Sequence, residues 1–292
     1  MEITVFTPTY NRGYILEKLY NSLKTQTFQD FEWLIIDDGS TDNTENLVNR
    51  WKEERNKFQI RFLKVSNGGK HRAINKATDL ATGRLFFIVD SDDKLTDDAL
   101  EKVIFWEQTI GESGKFCGVS GNKGKNKNDI YGTTFKGEYI DASSLERNNH
   151  NITGDKAEVF YTKILKNYKF DEFENEKFIT EATVWDRMAN DGYKLRWFNE
   201  TIYLCEYLDD GLTNNMKEVF GKNPKGTACY IKQQIKFYNY NLRGRLSNYN
   251  LYYEYVKPYI NIKDSAKHLE IQPIVLLMSI LIVYFKKRLF ND

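Results

Sequence analysis

Four times near its start the chain runs a short apolar stretch into a polar loop. Ile3–Phe6 leads into Thr7-Pro8-Thr9-Tyr10-Asn11-Arg12-Gly13, and Phe31–Ile36 into Asp37-Asp38-Gly39-Ser40-Thr41-Asp42. Ile60–Val65 leads into Ser66-Asn67-Gly68-Gly69-Lys70-His71-Arg72, and Leu85–Val89 into Asp90-Ser91-Asp92-Asp93. Helical patterns lie between: Ile15, Leu16, Leu19 and Leu23 on one face, then Leu47, Val48 and Trp51, then Ala73 to Ala81. Strand alternating with helix implies a parallel sheet with right-handed crossovers, which puts all four loops on one edge. In an open α/β sheet that edge is where ligands bind. Pro8 lacks an N–H and is expected to end the first ladder, while Thr41 or Asp42 is expected to cap the second helix.

The fourth loop carries the densest chemistry. Carboxylates at the end of a buried strand must face water, a cation or a ligand. Two readings stand open for Asp90, Asp92 and Asp93. One is a site for Mg²⁺ or Mn²⁺ shared with substrate phosphates, which hard oxygen ligands one residue apart would suit. The other is an acidic loop capping the next helix, whose start reads at Thr96-Asp97-Asp98-Ala99-Leu100.

Beyond Asp93 the alternation loosens. A helix is expected from about Asp97 to Thr109 and a strand over Lys115 to Val119. The stretch Gly121 to Asp129 has no apolar residue; it reads as a solvated loop or as a flap that neutralises phosphates. Asp155 to Tyr161 reads as a strand, Glu174 to Gly192 contains a helix, and Lys194 to Phe198 and Thr201 to Glu206 read as two late strands. From about Lys217 the chain is rich in Tyr, Lys and Asn and reads as helical, so residues 1–215 are taken as one domain and 216–292 as an appendage. Ile274 to Phe285 is apolar but for Ser279 and is followed by Lys286-Lys287-Arg288. It is shorter than the roughly 20 residues of a spanning helix. Three readings stay open for it: the surface of an anionic membrane, a core helix, or a homo-oligomer contact.

Bulk composition excludes little but removes several classes. A net charge of +1 gives no polyelectrolyte argument for nucleic acid, and none is expected as a partner. Three scattered cysteines and three scattered histidines make neither a disulfide framework nor a zinc site. Ile3–Phe6 already reads as a strand with no basic leader before it, so a reducing cytoplasm is the expected compartment.

The four loops together resemble the family 2 glycosyltransferases of GT-A fold, in order and spacing. The resemblance rests on Thr7 to Arg12, Asp37 to Asp42, Gly68 to His71 with Asn75, and Asp90 to Asp93, and it covers roughly the first 110 residues. It implies an inverting enzyme that takes a sugar from a nucleotide-diphosphate donor, usually a UDP-sugar. The acceptor would be a glycan or a lipid-linked glycan of a surface polysaccharide, met in the cytoplasm at the inner face of the membrane. By position, Thr7, Pro8, Thr9, Tyr10 and Arg12 would line the nucleotide pocket, with Tyr10 stacking on the base. Asp38 would accept from a uracil N–H, and Asp37 would be structural or on the ribose. Gly68 and Gly69 would let the backbone approach, and Lys70 would meet the diphosphate. Asp90 and Ser91 would contact the donor, with Asp92 and Asp90 holding Mn²⁺ or Mg²⁺.

The family's general base lies just before an amphipathic helix, often in a Glu-Asp pair. Here Ala182 replaces the second acid, which leaves Glu181 as the assigned base and Glu176 and Asp186 as alternatives. No histidine completes the metal shell, so its third ligand is Asp209 or Asp210, or else donor oxygens and water. Two competing functions are a sugar-phosphate nucleotidyltransferase and a non-catalytic carbohydrate-binding relic. The first would want a Gly- and Arg-rich signature after the first strand, which Thr7 to Gly13 lacks. Intact Asp90 and Asp92 argue against the second.

Overall fold

A computed structural model describes residues 1–111, 114–206 and 215–290. The chain divides into two compact units. One comprises Met1–Lys169 with Arg187–Glu206; the other comprises Phe170–Asp186 with Tyr207–Asp292.

The first unit is built on one mixed sheet. β1 (Ile3–Thr9), β2 (Phe31–Asp37), β3 (Gln59–Lys64) and β4 (Leu85–Ile88) are mutually parallel in the order β3-β2-β1-β4, as the alternation requires. Beyond β4 the sheet continues through β9 (Lys156–Tyr161), β6 (Phe116–Asn126), β10 (Lys194–Leu204) and the two-residue β5 (Lys94–Leu95). Here β9 runs antiparallel to both β4 and β6, whereas β10 is parallel to β6. Short β7 (Asp129–Ile130) and β8 (Tyr139–Ala142) pair antiparallel with β6 and β10.

Side-chain alternation sorts the strands into two faces. Ile3, Val5, Trp33, Ile35 and Phe87 share a core with Leu19, Tyr20 and Leu23 of α1 (Glu17–Lys24) and with Leu47, Val48 and Trp51 of α2 (Thr44–Glu53). Leu100, Val103 and Trp106 of α4 (Ala99–Gln108) join the same core. Its aromatic centre is a stack in which the Tyr20 ring lies 4.4 Å from Trp51 and 6.0 Å from Trp33. α3 (Lys70–Leu80) buries Ala73, Ile74 and Ala77 and packs on β1 and β2.

Four details depart from the sequence reading. Pro8 does not end β1: pairing with β2 continues through Pro8 and Thr9. The Phe6 carbonyl accepts from Val89 and the Thr9 carbonyl from Asp38, so by alternation Pro8 turns its missing donor toward the β4 side, where the ladder has already stopped at Ile88. The cap position of α2 is Asn43, although Asp42 still serves the first turn by accepting from the Thr44 amide at 3.1 Å.

The stretch from Gly121 is not a loop. It continues β6 to Asn126 between β9 and β10. Glycine is there because the neighbours are close: a Cβ on Gly118 would lie 1.9 Å from the Val159 carbonyl oxygen, and one on Gly121 would meet Trp106 at 2.9 Å. Finally, the two late strands are one, β10, with register irregularities between Trp197 and Thr201.

In the second unit, α7 (Met216–Lys222), α8 (Pro224–Phe237), α9 (Leu242–Val256), α10 (Ile262–His268) and α11 (Pro273–Phe290) form a helical assembly. Its core is Ala228, Ile231, Tyr252, Val256, Ala266, Leu269 and Leu276. No single helix among the described residues is long and apolar enough to cross a membrane. α10 and the Pro273–Phe285 part of α11 meet that test only together, and they are bent by 104°. α5 (Thr162–Leu165) belongs to the first unit, and the division between the units falls within α6 (Ala182–Asn190).

Candidate active site

The parallel order of β1 to β4 sets their C-terminal loops side by side, and hydrogen bonds join each loop to the next. The Asn11 amide donates to Ser40 Oγ at 2.8 Å and Asn11 Oδ1 accepts from the Thr41 amide at 2.8 Å, tying the first loop to the second. Asp38 ties the second to the third: its carboxylate accepts from the Gly68 amide at 2.7 Å, the Gly69 amide at 2.8 Å and Asn67 Nδ2 at 3.1 Å. Gly69 sits at φ +95°, a backbone conformation side chains resist. Lys70, the first residue of α3, ties the third to the fourth, with Nζ 2.6 Å from Asp90 Oδ1. One polar edge results.

Within that edge the expected residues differ in what they offer. Thr7 is fully buried and its Oγ1 accepts from Trp33 Nε1 at 2.9 Å, so it supports the floor of the site from below. Thr9 and Asp37 are register partners and both buried, and Thr9 Oγ1 and Asp37 Oδ2 have no hydrogen-bond partner among the described residues. Buried oxygens of that kind cost free energy unless a ligand or water meets them. The other Asp37 oxygen accepts from the Ser40 amide at 2.8 Å. Tyr10 is about half exposed, which leaves a ring face open. Arg12 donates to the Tyr14 hydroxyl, and its charge reaches Asp92.

The acidic turn is more crowded than the sequence suggests. Asp93 does not cap the next helix: α4 begins at Ala99 with Asp98 at its cap position, and Asp93 is buried and bonded to the Tyr203 hydroxyl of β10 at 2.6 Å. The same hydroxyl accepts from the Asp90 amide at 2.9 Å. Lys123 enters from β6, with Nζ 4.1 Å from the centre of the Tyr203 ring.

The electrostatics follow from this packing. Burial pushes Asp90 up, but Lys70 and Lys123 more than offset it and hold the carboxyl below its ordinary range. Burial also works against the charge of Lys123, yet Asp90 and Asp93 keep it protonated and raise its pKa. Asp92 is raised by burial and then by the charge of Asp90. Asp93 is pushed up to about 7 by the same two causes, against Lys123 and Tyr203. Three carboxylates and two lysines thus share one small volume, and the carboxylates are incompletely neutralised.

This turn fits a divalent cation of the Mg²⁺ or Mn²⁺ type. Among the described residues no group of three His, Cys, Asp or Glu is arranged to hold a metal. Mg²⁺ does not need one, since it is commonly held by one or two carboxylates together with substrate phosphates and water. Asp92 and Asp90 offer those carboxylates. Asp209 and Asp210 lie outside the described residues.

The three acids considered as a base all lie in the second unit. Glu176 is buried, and its carboxylate accepts from the Lys225 and Gly226 amides, each at 2.8 Å, in the first turn of α8. Asp186 accepts from Gln234 Nε2 at 2.8 Å. Glu181 directly precedes α6, and its carbonyl accepts from Val184 at 2.9 Å.

Sequence reasoning missed Lys123 and Tyr203. The signal for Lys123 was its place in Gly121 to Asp129, a stretch read as a solvated loop or as a flap that neutralises phosphates, with no single lysine picked out.

Comparison with known proteins agrees with this geometry. The pattern of the Glycosyl transferase family 2 matches residues 4–169, more than half of the chain. The chain is a family 2 glycosyltransferase. Over 188 residues it is 27% identical to the GalNAc(5)-diNAcBac-PP-undecaprenol beta-1,3-glucosyltransferase of Campylobacter jejuni. That match covers 63% of this chain and 58% of the relative, so the chain spans little more than half of the relative's length. Among solved structures, Staphylococcus aureus TarS residues 1–349 in complex with UDP-GlcNAc superposes with a TM-score of 0.62 at 19% identity, covering 94% of this chain and 90% of that one. The mannosyltransferase PcManGT of Pyrobaculum calidifontis, in complex with GDP-Man and Mn²⁺, superposes with a TM-score of 0.58 at 16% identity, covering 100% and 76%. These likenesses establish the GT-A fold of this family 2 member.

Proposed function

We propose that this family 2 enzyme transfers a sugar from a UDP-sugar to a glycan or lipid-linked acceptor of a surface polysaccharide, with inversion at the anomeric carbon. The observation that carries the reading is the single edge on which four loops are hydrogen-bonded together around Asp90, Asp92, Lys70 and Lys123. The unpartnered oxygens of Thr9 and Asp37 support a nucleoside at the β1–β2 end of that edge, with Tyr10 offering a ring to the base. Pro8 leaves the β4 side of β1 free of a backbone donor. Asp38 has spent three hydrogen bonds on the Gly68–Gly69 loop, so its first task is to shape that loop; a carboxylate retains capacity for one more donor, such as a uracil N–H. Lys70 and Lys123 place positive charge where a diphosphate lies, and Ser91 stands buried between the two metal-binding acids.

Transfer by one displacement forms a bond from the acceptor hydroxyl oxygen to the anomeric carbon as the bond to the diphosphate oxygen breaks. The hydroxyl proton passes to Glu181, and the leaving electron pair stays on the nucleoside diphosphate. A divalent ion held by Asp92 and Asp90 would supply Lewis-acid stabilisation of that leaving group. Glu181 is favoured because it directly precedes α6, the place before an amphipathic helix where the family resemblance puts the base. The lipid-linked acceptor named for the Campylobacter relative supports an acceptor at the inner face of the cell membrane.

The test is a thermal-unfolding screen of the full chain against UDP, UDP-GlcNAc, UDP-glucose, UDP-GalNAc and GDP-mannose, with and without Mn²⁺. A ligand that binds only the native state raises the midpoint. A rise with uridine compounds, increased by Mn²⁺, is expected. A rise with GDP-mannose alone, or with none of them, overturns the donor assignment.

A further inference from the structure

We propose that α11 lies flat in the surface of an anionic lipid bilayer and docks the helical unit there. The helix has two apolar sides. On one, Leu276 and Ser279 are fully buried, and Ile280 packs on the same core of α8, α9 and α10. On the other, Ile274, Leu277, Met278, Leu281, Ile282 and Phe285 are each between 42% and 56% exposed. Their spacing of three and four residues draws one continuous stripe along the helix. An exposed stripe of this length is unusual in a protein that stays in water.

Charge decides what covers it. There is no acidic residue from Pro273 to Phe290, and the stripe runs directly into Lys286-Lys287-Arg288. From Met216 onward the chain holds 13 Lys and Arg against 5 Asp and Glu, although its overall net charge is only +1. The positive charge is therefore concentrated in the C-terminal segment, of which α11 carries the stripe. Apolar side chains on one face of a helix with a basic run following them in the sequence suit the boundary between acyl chains and anionic headgroups. A symmetric contact of α11 with its counterpart in a second copy would bring another basic segment of the same sign, whereas anionic lipid brings the opposite one. Among the described residues no single helix is long and apolar enough to span, and α11 reaches that length only together with α10, across a bend of 104°. Docking in the plane needs only the exposed stripe and the basic run that follows it, and it stands independently of the sugar-transfer reading because it needs no turnover.

The experiment is co-sedimentation of the full chain with large vesicles of phosphatidylcholine, with and without about one third phosphatidylglycerol. The chain is expected to pellet with the anionic vesicles, to remain in solution with the neutral ones, and to be released by raised salt. Leu277→Glu/Leu281→Glu/Ile282→Glu should abolish pelleting with an unchanged far-ultraviolet circular dichroism spectrum. A second variant, Lys286→Gln/Lys287→Gln/Arg288→Gln, removes only charge and should weaken partitioning by roughly fivefold per residue, or about a hundredfold in all. Failure of the wild-type chain to pellet with anionic vesicles overturns the proposal, as does pelleting unchanged in both variants. A dimer seen by light scattering that the glutamate variant dissociates, with no vesicle binding, would assign the stripe to a second copy instead.

Discussion

The Tyr203 hydroxyl donates to Asp93 Oδ2 at 2.6 Å and accepts from the Asp90 amide at 2.9 Å, so one side chain of β10 fixes the acidic turn at both ends. Burial, followed by the charges of Asp93 and Asp90, raises the phenol well above its ordinary pKa, which keeps the proton on oxygen. Tyr203→Phe removes that oxygen and leaves a buried acceptor and a backbone donor unmet. The expected cost is about 1–3 kcal/mol, since each group keeps its desolvation penalty without its bond. Thermal unfolding should show a midpoint several degrees lower, and a Mn²⁺ titration of transfer should show weaker apparent metal affinity. An unchanged midpoint and unchanged metal response would mean that the hydroxyl does not organise the turn.

Lys123 faces Asp90 and Asp93 from β6 and is the second cation of the cluster. In Lys123→Gln the two acids lose that partner, and a bound diphosphate would lose a charge-assisted contact of about 1.5–3 kcal/mol. Donor affinity measured by calorimetry should fall by roughly ten- to a hundredfold. Lys123→Arg keeps the charge and should recover part of it. If Lys123→Gln binds the donor like the wild type, the residue serves only to neutralise Asp90 and Asp93.

The contrast between Lys70 and Lys123 shows how much of this site was legible. Lys70 lies in the loop between a predicted strand and a predicted helix, so local pattern alone put it on the ligand edge, and there it opens α3 and meets Asp90. The first four strands were legible for the same reason: each has a dense apolar run, and parallel order follows from the helices between them. Lys123 lies in the second half of β6, which is made of Gly, Ser, Asn and Lys and whose strand character comes from pairing with residues about 35 and 80 positions away. The apolar start of β6 was legible over Lys115 to Val119, but nothing local announces its continuation. Pro8 misled for a related reason, because whether its missing donor matters depends on where β4 ends, and β4 is some 80 residues off. Tyr203 was hidden among 19 tyrosines with no motif around it.

Glu181 and Glu176 lie five residues apart in the same unit, and their substitutions should separate cleanly. Glu181→Gln is expected to leave the donor-induced thermal shift intact while transfer falls by roughly 10²–10⁴-fold, the range of a lost general base. Glu176→Gln weakens a carboxylate that accepts from two amides at the start of α8, so it should lower stability by about 1 kcal/mol. Turnover per folded molecule should stay near that of the wild type. The reverse pattern, with full transfer in Glu181→Gln and none in folded Glu176→Gln, would move the base to Glu176.

Glu32 tests stability away from the acidic turn, at the start of β2. It is fully buried, with its carboxylate accepting from Thr4 Oγ1 at 2.6 Å, Arg61 Nη1 at 2.7 Å and the Thr82 amide at 2.8 Å. Burial pushes its pKa up, but these donors outweigh it and hold the carboxyl below the ordinary value of 4.5. A carboxyl whose pKa is lower when folded stabilises the protein above its unfolded pKa, and that contribution is lost as pH falls through the folded value. Glu32→Gln replaces one acceptor with a donor facing donors and should cost about 2 kcal/mol at pH 7. The midpoint difference between wild type and variant should therefore be constant from pH 8 down to about 5 and shrink below that. A difference that grows in acid would show that Glu32 is protonated in the folded state and that the Arg61 pairing contributes nothing to it.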